Sequence, residues 1–155
     1  MTTVVKRANT ELVAVAWLRS LDGIEPGQVA TTLPSKTADW AENGFLQVTP
    51  GIGGSMQLHY ALREPVVQVE AYAARLDSGK PPWNVAASLM EAVVAGTYDE
   101  ANLQRTLTLP GAFPAARVLT AHFVSEPRRM PDDVASYARY VADLALHWIS
   151  LEGAS

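Results

Sequence analysis

The sequence has no cysteine, and this absence excludes several kinds of chemistry at once. A chain of 155 residues without a thiol forms no disulfide, has no thiolate nucleophile and offers no sulfur ligand to zinc. Long apolar runs are also missing, since none approaches the ~18 residues of a membrane-spanning helix. No apolar run of a signal peptide follows the basic residues near the N-terminus. We therefore expect a protein that folds in a cytoplasm and has no membrane partner.

Charged residues are scarce, at 18% of the chain, and the net charge is -4. A surface that binds nucleic acid is normally basic, so this balance argues against one, although it allows a ring through which DNA passes without being gripped. A surface with few charges fits a protein that its neighbours cover in an assembly, and it also fits a small compact monomer. The length predicts one domain, residues 1–155, with residues 1–9 as an N-terminal arm and 150–155 as a C-terminal tail.

The histidines are the residues most able to bind a metal, and the chain has only His59, His122 and His147. A site of two histidines and a carboxylate could in principle assemble from them. No two of them have the short spacing of a ligand pair, so surface or structural histidines are the favoured interpretation. We predict no metal site and no cofactor.

No catalytic motif is evident either. The glycines of 51–54 lack the Gly-Lys-Ser/Thr of a phosphate loop, so a flexible β-turn explains them better. The acidic pairs Asp99-Glu100 and Asp132-Asp133 are typical of solvated turns and helix caps. We therefore predict that the protein is not an enzyme.

Apolar periodicity predicts two helices and several strands. The helices are expected over 10–21, capped by Asn9 or Thr10, and over 83–95, ended by Gly96. Strands are expected over 28–33, 45–49, 65–73 and 117–125, with a brief alternation over 106–109. The segment 136–149 fits a strand and a helix equally well by periodicity alone.

The strand over 65–73 has the clearest alternation. One side carries Val67, Val69 and Ala71, which predicts a face on the core, and the other carries Gln68, Glu70 and Tyr72. A charged Glu70 in mid-strand is unusual for a sheet that is covered on both faces. We therefore expect its side of the strand to face a lumen or a neighbouring subunit.

Loop residues supply the other candidates for contact with a partner. Trp40 lies in a polar stretch, where an exposed aromatic side chain indicates a partner surface. The pair Arg128-Arg129 fits either a solvated loop or a contact with an acidic neighbour. The predicted interface set is Trp40, Gly51, Gly53, Gly54, Glu70, Arg128 and Arg129.

The order of these elements carries a family resemblance. A helix leads to the short strand Val29–Pro34, and a Gly-rich turn leads to the phrase Glu-Pro-Val-Val-Gln-Val-Glu-Ala-Tyr-Ala at 64–73. A helix with small residues and a long final segment with Arg139-Tyr140 follow. Over residues 10–149 this chain resembles the tail terminator proteins of long-tailed bacteriophages, particularly those of actinobacterial phages.

The resemblance implies an α+β fold with a mixed, mainly antiparallel sheet of about five strands and two helices on one face. It implies that 136–149 is a strand. It also implies a structural virion protein, assembled in the host bacterial cytoplasm, whose hexameric ring caps the tail tube at the head–tail junction. The partners would be further copies of the chain, the major tail tube protein and the head-completion or stopper protein, with genomic DNA passing through the lumen without specific binding. The alternatives are another head–tail joining protein, a stopper or connector, or a small ligand-binding or enzymatic α/β domain.

Overall fold

A computed structural model describes residues 8–56, 61–77, 80–130 and 137–151. These residues form an α+β fold, as the resemblance implied. The two helices are α1 (Thr10–Arg19) and α2 (Trp83–Tyr98). The strands are β1 (Val29–Ala30), β2 (Phe45–Met56), β3 (Leu62–Ala74), β4 (Thr106–Leu107), β5 (Ala116–Phe123), β6 (Arg128–Arg129) and β7 (Tyr137–Ser150).

The strands form one mixed sheet with β3 and β7 at its centre. Its order is β1-β2-β3-β7-β5-β4, and β6 also pairs with β7. Only the short β1–β2 pair is parallel, and the other pairs are antiparallel. Seven described strands replace the expected five. Strand β6 has two residues and is too short to give an alternation signal, and β4, also of two residues, was expected only as a brief alternation over 106–109.

The two helices pack on one face of this sheet. Val67, Val69 and Ala71 of β3 are fully buried in the main core, as their alternation predicted. Leu144 and Trp148 of β7 join the same core. Asn9 caps α1 as expected, since its side-chain oxygen accepts hydrogen bonds from the backbone N–H groups of Glu11 and Leu12. The segment that periodicity left undecided is the strand β7, which has buried residues on both faces and therefore lacks a clean alternation.

We call the other side of β2, β3, β5 and β7 the helix-free face. It carries mainly polar side chains, namely Gln47, Thr49, Gln68, Glu70, Tyr72, Thr120, His122, Arg139, Asp143 and His147, as strand alternation and the registers require. One end of this face packs against the segment that precedes β2. There Trp40 and Ala41 form a second buried cluster with Phe45 and Ala74.

Several predicted boundaries are wrong for identifiable reasons. The expected strand over 28–33 shortens to β1, because the chain bends away from the sheet at Thr31. Helix α1 ends at Arg19, before its expected end at residue 21. Gly96 does not end α2, which continues to Tyr98. The glycine instead lets Leu21 pack closely against α2, since a Cβ atom at position 96 would lie 2.8 Å from the Leu21 methyl groups.

Candidate protein interface

One outer edge of the sheet is the distal part of β2. Strand β1 pairs only with Leu46 and Gln47, so among the described residues no strand pairs with the outer edge of β2 from Val48 to Met56. An unpaired strand edge presents backbone N–H and C=O groups that another strand can bind. This stretch is therefore a possible docking edge.

The glycines predicted to form a turn lie within this edge and build a β-bulge. The register with β3 moves from Pro50 opposite Val67 to Gly54 opposite Pro65, so β2 holds two extra residues there. Gly54 has φ 81°, and a Cβ atom on it would overlap the carbonyl oxygen of Glu64. The bulge needs glycine for this conformation, and it turns Ile52 outward until its side chain is fully exposed.

The opposite outer edge of the sheet is formed by β5. Strand β4 pairs only with Ala116 and Arg117, so in the described part of the chain no strand flanks β5 from Thr120 to Phe123. A recess lies between this edge and the last turns of α2, lined by Val94, Thr97, Tyr98, Phe123 and Val124 among others. Tyr98 is 83% exposed and Val124 is 55% exposed.

Exposed apolar side chains thus concentrate at the two ends of the sheet. The described residues include four large hydrophobic side chains that are exposed, namely Ile52, Leu76, Tyr98 and Val124. Three of these lie at the β2 bulge or at the β5 recess, and only Leu76 lies elsewhere. Single exposed apolar residues are ordinary, but their coincidence with both unpaired edges is the pattern of an association surface.

Trp40 does not belong to this surface, and the expectation that it is an exposed aromatic is wrong. Its side chain is only 3% exposed. Its indole Nε1 donates a hydrogen bond to the Pro34 carbonyl at 3.1 Å, and its ring packs edge-on against Tyr137 and Tyr72 at centroid distances of 5.3 and 6.2 Å. The polar residues around it in the sequence concealed a small core that forms only when the segment folds onto the sheet.

Glu70 is also buried, although it was predicted as a contact residue. Its Oε2 atom accepts hydrogen bonds from the Tyr72 hydroxyl at 2.7 Å and from Arg139 Nε at 2.7 Å, and it forms an ion pair with Arg139 Nη2 at 2.6 Å. Its partners therefore come from its own chain. Strand alternation placed Glu70 on the polar face of β3. It did not reveal Arg139, which lies 69 positions away in sequence and reaches Glu70 through the β3–β7 pairing.

The two arginines expected in a loop lie in the short strand β6. Arg128 pairs with Val141 and Arg129 pairs with Tyr140, and both arginines are exposed. The guanidinium carbon of Arg129 lies 3.7 Å from the centroid of the Trp83 ring, the geometry of a cation–π contact. Arg129 is therefore committed within its own chain, while Arg128 projects from the helix-free side of the sheet.

The structure brings two of the three histidines together. The ring centroids of His122 and His147 lie 5.5 Å apart. His59 and the pair Asp132-Asp133 lie outside the described residues, whereas Asp99 caps a short turn by accepting a hydrogen bond from the Ala101 N–H, as predicted for a capping acid. In the described ranges no group of three or more His, Cys, Asp or Glu side chains is placed to hold a metal ion, and no helix there is long and apolar enough to span a bilayer.

Comparisons with known proteins add little to this geometry. No family model matches the sequence, and no curated protein matches it significantly. Among solved structures, one chain resembles this protein at 15% identity with a TM-score of 0.43, over 95% of this chain and 99% of the other. That chain's name states no function, and a likeness at this level carries no argument about fold or activity.

Proposed function

We propose that this protein is the tail terminator subunit of a long-tailed phage, and that copies of the chain join through the two unpaired edges of the sheet into a closed ring. The observation that carries the proposal is the pair of edges. One chain offers an unpaired strand with the exposed Ile52 at one end of its sheet. At the other end it offers an unpaired strand beside a recess of mixed polar and apolar lining, where Tyr98 and Val124 are exposed.

Two different surfaces on opposite ends of one subunit favour a head-to-tail contact. An isologous dimer would use the same patch twice, whereas a contact between unlike patches generates a ring when its rotation closes. The β2 edge with Ile52 and the β5 edge with Tyr98 and Val124 are unlike patches of this kind. The order of elements that resembles tail terminators supports a ring at the end of a tube over other closed assemblies.

The charge of the chain is compatible with a channel for DNA. A net charge of -4 per subunit makes a lumen that does not hold the phosphate backbone by counterion release. On the helix-free face, Glu70 and Arg139 pair with each other, so their two charges largely offset.

The first experiment measures assembly of the untagged protein by native mass spectrometry and negative-stain electron microscopy over a range of concentrations. A ring with a central hole and a single closed stoichiometry is the expected result. A chain that stays monomeric at the highest soluble concentration, alone and with purified tail tubes, would contradict the proposal.

Single substitutions test which surfaces join. Ile52→Lys and Val124→Lys place a charge in each proposed contact and should abolish the ring, because a buried lysine without a partner is strongly unfavourable. Both side chains are exposed in the single chain, so the fold of each variant should be unchanged by circular dichroism. Leu76→Lys is the matched control, since Leu76 is also an exposed apolar side chain but lies away from both edges. This variant should leave the ring intact.

Position in the particle separates a terminator from a stopper or connector. Gold-labelled antibody against the chain should mark the head-proximal end of purified tails that have not joined heads. Tails assembled without the protein should be longer than normal and should fail to join. Label found only on tailless heads would favour the stopper or connector over the terminator.

A further inference from the structure

His122 and His147 form a cross-strand pair on the helix-free face. Strand pairing places His122 opposite Ala145 and His147 opposite Thr120, so the two histidines are diagonal neighbours on strands β5 and β7. Their ring centroids are 5.5 Å apart and the ring planes are nearly perpendicular, at 86°. His122 is exposed and His147 is half-buried, so both rings are open to solvent and to small ions.

We propose that this pair binds a divalent transition metal ion that prefers imidazole, of the class of Cu²⁺, Ni²⁺ and Zn²⁺. Imidazole nitrogen suits these ions, and an affinity order that peaks at Cu²⁺ is expected for such ligands. The inference depends only on the two histidines and does not depend on the ring or on the tail function.

The separation of the rings fits two ligands of one ion. A metal–nitrogen bond of about 2.0–2.1 Å puts the ion about 3.2 Å from the centroid of each imidazole ring. Two such rings at the tetrahedral angle would have centroids about 5.2 Å apart. The observed 5.5 Å is within a few tenths of an ångström of this value. The χ2 torsion of exposed His122 is broad, so its ring nitrogens can turn toward an ion while the centroid of the ring hardly moves.

The backbone around the pair is already fixed. His147 lies between Leu146 and Trp148, both fully buried in the main core on the opposite face of β7. Thr120, Ala121 and His122 pair in register with His147, Leu146 and Ala145. An ion that binds therefore orders two rings and no backbone, which keeps the entropic cost of the site small. With no third protein ligand among the described residues, water completes the coordination, and we expect one ion per chain with moderate affinity.

The test uses the untagged full-length protein with CuSO₄ and with NiCl₂ in isothermal titration calorimetry. One ion per chain is the expected stoichiometry, with Cu²⁺ tighter than Ni²⁺. His122→Ala and His147→Ala should each weaken binding by at least about tenfold, because changes even beyond the first ligands of a metal typically cost 10–100-fold. His59→Ala is the matched control and should leave the affinity unchanged.

A spectroscopic readout shows whether both rings bind the same ion. The electron paramagnetic resonance spectrum of the Cu²⁺ complex should show coupling to two imidazole nitrogens in the wild type and to one in either variant. Binding that survives both substitutions, or that is lost equally in His59→Ala, would overturn the assignment. Absence of stoichiometric Cu²⁺ binding would do the same. None of these three outcomes would bear on whether a ring forms through Ile52 and Val124.

Discussion

Replacing Arg139 with methionine should destabilise the fold by about 2–3 kcal/mol. The substitution leaves the Glu70 carboxylate, whose side chain is only 7% exposed, with the Tyr72 hydroxyl as its remaining hydrogen-bond donor among the described residues. Removing one partner of a fully buried ion pair costs about 3–5 kcal/mol, because a charge stays out of water without compensation. The Arg139 side chain is 31% exposed, so water already screens part of the attraction and the expected cost falls just below that range.

The measurement is equilibrium unfolding in urea, followed by tryptophan fluorescence. It should be made at concentrations where the chain is monomeric, because ring formation would add stability by mass action. For a domain of this size, 2–3 kcal/mol corresponds to a fall in Tm of roughly 4–12 °C. Arg117→Met is the matched control, since Arg117 is an exposed arginine of strand β5, and its effect should stay within about 0.5 kcal/mol.

A double-mutant cycle with Glu70→Gln separates the ion pair from packing of the arginine stem. The neutral glutamine has no charge to leave unpaired, so Glu70→Gln/Arg139→Met should be more stable than the sum of the single effects predicts, by at least about 1 kcal/mol. A single-variant loss below about 0.5 kcal/mol, or a coupling near zero, would refute the reasoning. Glu70 would then be a hydrated group on an open face, as its sequence position suggested.

Four further substitutions test other parts of the structure by the same unfolding assay. Gly54→Ala should cost about 2 kcal/mol of stability because φ is 81° there and the new Cβ would clash with backbone atoms of β3. Gly27→Ala is its control. No atom lies within 4 Å of the Cβ added there, so this variant should be neutral or stabilising by up to about 1 kcal/mol. Trp40→Ala should cost about 3 kcal/mol or more of stability, because it removes a buried ring. A loss of stability under about 1 kcal/mol would contradict the burial of that ring. Arg129→Met should cost about 0.5–1 kcal/mol and shift the Trp83 emission, and an unchanged spectrum would contradict the cation–π contact.

Period-two alternation predicted the part of the sheet that faces the core. Val67, Val69 and Ala71 are buried because each second residue of a strand points to the same face, and no tertiary information is needed for that inference. Strand β7 could not be assigned this way. Its alanines satisfy both periods, and its identity as a strand follows from pairing with β3, which lies more than 60 residues earlier in the chain.

Two residues that were expected to be exposed, Trp40 and Glu70, are buried because their environment depends on residues distant in sequence. Polarity around Trp40 indicated a surface, but the ring is buried by Tyr137 and Tyr72, which are far from it in sequence. A lone charge at Glu70 indicated an open face, and only the register of β3 with β7 supplies the arginine that neutralises it. The glycines at 51–54 lie within strand β2, where they shape a bulge at its edge and do not form the predicted turn.

That strand edge also bears on how an assembly of this chain would stay finite. A long, flat, unpaired strand is a template for open-ended association, and proteins interrupt such edges with bulges or short covering strands. Here β1 covers the start of β2, and the bulge at Gly53 and Gly54 increases the local twist of what remains. A strand from another copy can therefore add to this edge only where its shape accommodates Ile52. Such a restricted edge favours one defined partner orientation, which is the condition for a head-to-tail contact to close into a ring and not to grow into a filament.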